Sequence, residues 1–100
     1  MIHALLDITQ VIGTVAIDGA VHKVCAEAVA RHDHPTDQLT VSLRAFLRAE
    51  QHDHIGEITL PDWLPAPQTV TEHVAAGEAH AMANDVFQSW CHKVTGTIPA

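Results

Sequence analysis

The chain has no tyrosine, and its only aromatic residues are Phe46, Trp63, Phe87 and Trp90. A core large enough to fold must therefore come from Val, Ile, Leu and Ala. Basic residues are also scarce, with five Lys and Arg against twelve Asp and Glu. No run of them forms a basic patch, which argues against DNA, RNA or an anionic membrane as partner. The two cysteines, Cys25 and Cys91, lie far apart and form no CxxC pair, the pattern of free thiols rather than of a disulfide framework or metal knuckle. Long apolar runs are missing too. The most apolar stretch, Val11 to Ala30, is interrupted by Asp18, His22, Lys23 and Glu27 and is no membrane span. The opening MIHALLDITQ has no basic leader region and carries Asp7, so it reads poorly as a signal peptide. A soluble, cytoplasmic protein is expected.

Familiar chemical signatures are absent as well. There is no HExxH, no Glu-x-x-His pair, no CxxCH and no Gly-rich phosphate loop. Cys91 and His92 are adjacent, and on a helix they diverge by about 100°, so they form no dyad alone. An enzyme is the less favoured reading.

What is present is a single domain's worth of chain, 100 residues with 47% hydrophobic content. Nine histidines accompany a formal charge of −7. Their titration, near pH ~6.5 when unperturbed, carries the net charge through zero under mildly acid conditions.

Apolar spacing suggests helices. Leu5, Ile8, Ile12 and Val15 recur at three and four, as do Ile17, Ala20, Val21, Val24 and Ala28. The two stripes face opposite ways around one helix, which places a break near Gly13 to Gly19. A competing reading is a hairpin, VIGTVAI and AVHKV joined by Asp18-Gly19. The Ala-rich continuation AEAVA favours helix. Pro35 ends that segment, and Thr36 or Asp37 can cap a helix to about Asp53 with the stripe Leu39, Leu43, Phe46, Leu47. Residues 55–69 carry Pro61, Pro65 and Pro67 and should form a loop. A last helix is predicted from Thr69 or Thr71 to Val94, with Thr69 and Glu72 spaced as a capping box and Gly96 as its stop. The expectation is an all-α fold: a compact bundle of three or four helices in one domain, residues 1–100, with a Pro/Trp-rich loop before a long C-terminal helix whose end projects toward a dimer partner.

Three candidate functions follow. The favoured one is a small non-enzymatic interaction or accessory module, homodimeric, with loop residue Trp63 either covering the core or anchoring a partner. The alternative is a transition-metal protein for Zn, Ni, Cu or Fe. It rests on the tripeptide His-Asp-His, which occurs at 32–34 and again at 52–54. Its candidate ligands are His32, His34, Glu50, His52, His54 and His80. A helix over 37–53 would be about 24 Å long and hold the two tripeptides apart. As plain helix terminators, histidines also suit unpaired carbonyls without any metal. Glu50 and His54 form a third, acid–base possibility.

Overall fold

The computed structural model describes residues 2–49 and 61–99. It overturns the all-α bundle. Four antiparallel strands form one sheet in the order of the chain: β1 (Ile2–Ile17), β2 (Ala20–Asp33), β3 (Gln38–Ala49) and β4 (Gln68–His73). One helix, α1 (Ala76–Thr97), follows.

The hairpin reading wins at the first turn. Asp18 and Gly19 both have positive φ, 51° and 81°, the twist that a two-residue turn needs between right-twisted strands. Ile17 pairs with Ala20 across it. Gly takes such a φ freely, and Asp tolerates it better than most side chains. The second turn brings Pro35 between β2 and β3. It is tied by the Thr36 hydroxyl donating to Asp33 (2.9 Å) and includes Asp37 at φ 54°.

The segment predicted as a helix over 37–53 is, in its described part, strand β3. Leu39, Val41, Leu43, Ala45 and Leu47 alternate with Thr40, Ser42, Arg44, Phe46 and Arg48. This period of two places the first set on one face, where four of the five are buried. The helical stripe Leu39, Leu43, Phe46, Leu47 is a chance overlay on that alternation. In β2, His22, Val24, Ala26, Ala28, Ala30 and His32 likewise share the inner face and are all buried.

The C-terminal helix is present but starts later and ends later than predicted. Gln68–His73, with the supposed capping box Thr69 and Glu72, pairs with Gln38–Leu43 as β4. The helix begins without a side-chain cap at Ala75, carries Glu78 in its first turn, and continues through Gly96 to Thr97. It buries Ala79, Ala83, Phe87, Trp90, Cys91 and Val94 against the inner face of the sheet. Its end does not project. A methyl group added at Gly13 of β1 would lie 2.9 Å from Ile98 Cδ1, so the helix terminus rests on the first strand. Trp63 and Leu64, in the loop before β4, are half-buried and pack against the same core. No helix of the described residues is long and apolar enough to cross a membrane.

Candidate interaction surfaces

The histidines gather only in part. His32 is buried on the inner face, opposite Leu39 of β3, with His3 at the facing register position of β1. Its Nε2 lies 2.8 Å from the Val74 carbonyl oxygen, so that nitrogen carries the proton and donates it. Val74 N–H donates in turn to the Asp37 carbonyl (2.8 Å), and Asp37 Oδ1 stands 3.8 Å from His32 Nε2. His32 thus fastens β2 to the junction between β4 and α1. His34 is exposed beyond the strand, with its ring centroid 6.4 Å from that of His32. His80 is exposed on α1. Glu50, His52 and His54 lie outside the described residues, so the Glu50–His54 pair does too. Among the described residues, no three His, Cys, Asp or Glu side chains stand together as a metal site would need.

The two thiols are both free and buried. Cys25 points to the outer face and Cys91 sits on α1 at the inner face, so the sheet separates them. Burial pushes both thiols up from the usual 9.0; Arg48 and Lys23 partly offset this at Cys25. At both sites burial disfavours the thiolate.

A groove of about 310 Å³ opens where β4 begins. Leu43, Val70, Val86 and Trp90 form its apolar walls, and Asp85 and Lys93 lie on its rim. Opposite Leu43 the fourth strand begins at Gln68, so the next residue of β3, Arg44, has no β4 partner. The Trp90 indole N–H donates to the Arg44 carbonyl (3.0 Å) and closes that end of the ladder.

No protein-family model, curated protein or solved structure matches the chain. The surfaces themselves must carry the functional reading.

A further surface is the outer face of the sheet, on the side away from α1. Register sets its rows: Thr14, Lys23 and Arg48; then Val11, Cys25 and Phe46; then Thr9, Glu27 and Arg44. Arg31 sits further along, opposite Thr40. Four of the five Lys and Arg residues therefore share one face, and the fifth, Lys93, is on the helix. Asp7, Glu27 and Asp33 share it with them, whereas Asp18, Asp37, Asp62, Glu72, Glu78 and Asp85 lie elsewhere. Arg44 pairs with Glu27 (3.1 Å) and lies over the Phe46 ring (4.6 Å). Sequence reading found no basic patch because the four residues are scattered in the chain. Their odd and even numbers reveal a common face only once β2 and β3 are paired strands.

Proposed function

We propose that the chain is a small non-enzymatic interaction module that assembles as a homodimer through the free edge of β1. The observation that carries this reading is the make-up of that strand. It is the outermost in the sheet order, sixteen residues long, and apart from His3 near its start its one acidic or basic residue is Asp7. Edge strands are ordinarily guarded by lysine, proline, brevity or bulges, and β1 has only two bulges, which leave the run between them regular. Two of the exposed large hydrophobics of the described residues, Ile8 and Val11, lie on it.

Bulges between Ala4 and Leu6 and between Val11 and Gly13 bound a regular run from Leu6 to Val11. A twofold axis perpendicular to the sheet pairs such a run with its own copy, antiparallel, with one residue facing itself. Centred on Ile8, the pairing sets two exposed Ile8 side chains together and places Asp7 opposite Thr9 instead of another Asp7.

Light scattering after size exclusion tests this. The wild-type mass should rise from 10.8 kDa to twice that value with concentration. Ile8→Lys, which sets two cations opposite each other at the centre, should stay monomeric with an unchanged circular-dichroism spectrum. A wild type that is monomeric throughout, or a variant that still dimerises, overturns the reading.

A further inference from the structure

Lys23 and Arg48 face each other directly across β2 and β3. Like charges at directly opposed positions destabilise a sheet, and an acidic protein has carboxylates to spare. Yet among the described residues neither cation has an ion-pair partner, while Arg44 two rows away is matched with Glu27. The unmatched pair is bracketed by apolar groups. Val21, 47% exposed, lies two residues before Lys23 on the same face, and the row Val11, Cys25, Phe46 lies on its other side. Along the strands the surface therefore reads apolar, doubly cationic, apolar.

We propose that this outer face binds an acidic segment of a partner protein, with a carboxylate seated between Lys23 and Arg48 and apolar side chains on Val21 and on Val11 and Phe46. Three features select this occupant. An extended segment presents alternate side chains to one face at the spacing of the rows beneath it. Two adjacent cations attract a carboxylate and repel a cationic side chain, which gives specificity. A second copy of the same face brings four more cations and only Asp7, Asp33 and the already paired Glu27 as carboxylates, so self-stacking is disfavoured. The inference rests on reading the chain as an interaction module, but not on the β1 edge, because pairing at that edge leaves the outer face open.

The test uses the full chain and a synthetic peptide alternating Glu with Leu, followed by fluorescence anisotropy and by amide chemical shifts. The same peptide with Lys for Glu, an oligodeoxythymidine strand and phosphatidylserine vesicles serve as competitors. The Glu–Leu peptide should bind, should weaken with added salt, and should perturb amides around Lys23, Cys25, Phe46 and Arg48. The double variant Lys23→Gln/Arg48→Gln should lose at least about tenfold in affinity. The charge-matched control Asn84→Asp/Gln88→Glu, on the exposed side of α1, should stay within about twofold. Removing two opposed cations should leave the thermal midpoint unchanged or raise it; a lowered midpoint would make the pair structural and overturn the proposal. It is equally overturned by no binding of the Glu–Leu peptide, by perturbed amides confined to α1, by stronger binding of the oligonucleotide or vesicles, or by equal loss in the control.

Discussion

Trp90 does two jobs with one side chain. Its ring is part of the core, 2% exposed, and its indole N–H satisfies the carbonyl of Arg44 just past the start of β4. A buried acceptor left without a donor costs about 1–3 kcal/mol, and this part-buried bond sits at the lower end of that range. Trp90→Phe keeps an aromatic ring but removes that donor, so it should lower stability by roughly this amount, with a further loss for the missing volume. Urea unfolding followed by circular dichroism should show a lower midpoint at unchanged slope. An unchanged midpoint would mean the carbonyl is served equally well by solvent. His32 is a comparable fastening at the other end of the sheet, since its bond to Val74 holds the chain where strand turns to helix. Its sequence neighbour in the repeated tripeptide, His34, has no such burial. One His-Asp-His copy is thus split by the strand's alternation, one histidine facing in and the other beyond the last ladder pair.

Among the elements, the C-terminal helix and the Asp-Gly hairpin were legible in the sequence, and the strands were not. The reason is alanine. Ala26, Ala28 and Ala30 sit on the inner face of β2 because α1, itself presenting Ala79 and Ala83, comes close to the sheet there. Alanine is a strong helix former and a poor strand former in isolation, so AEAVA reads as helix until packing overrides propensity. The alternation of β3 was written plainly in Leu39 to Arg48, but Leu39, Leu43 and Leu47 also satisfy a helical spacing of four. Both periods fit, and only the paired strand on each side decides between them. The candidate surface was hidden for the same reason, since a face exists only after register is known. Close helix–sheet approach makes a direct expectation. Ala28→Leu should overpack the inner face and destabilise by about 1–3 kcal/mol. Val29→Leu, one residue on and on the outer face, should be close to neutral. Thermal unfolding of the two variants checks this; similar losses at both positions would contradict an inner and an outer face.

At the scale of the whole molecule, the fold divides the chemistry between two sides. The inner side carries the helix and the core, and the outer side carries nearly all the fixed positive charge of a chain whose formal charge is −7. The fold measures 50 × 26 × 17 Å, long because its first three strands are each at least twice the usual five or six residues. How two copies join determines which dimension grows. Pairing at the β1 edge about an axis perpendicular to the sheet extends it sideways into eight strands, with both helices on one side and both cationic faces on the other. Stacking face to face would instead thicken the 17 Å dimension and cover Lys23 and Arg48. Small-angle scattering of the dimer should therefore give a pair-distance distribution with the thickness of one subunit and an increased width. A thickness near twice that of the monomer would exclude edge pairing and would cover the surface assigned to the acidic partner. A flat, widened particle keeps that surface open in both copies, so a partner with two acidic segments should bind the dimer more tightly than one segment alone if its linker spans the two faces.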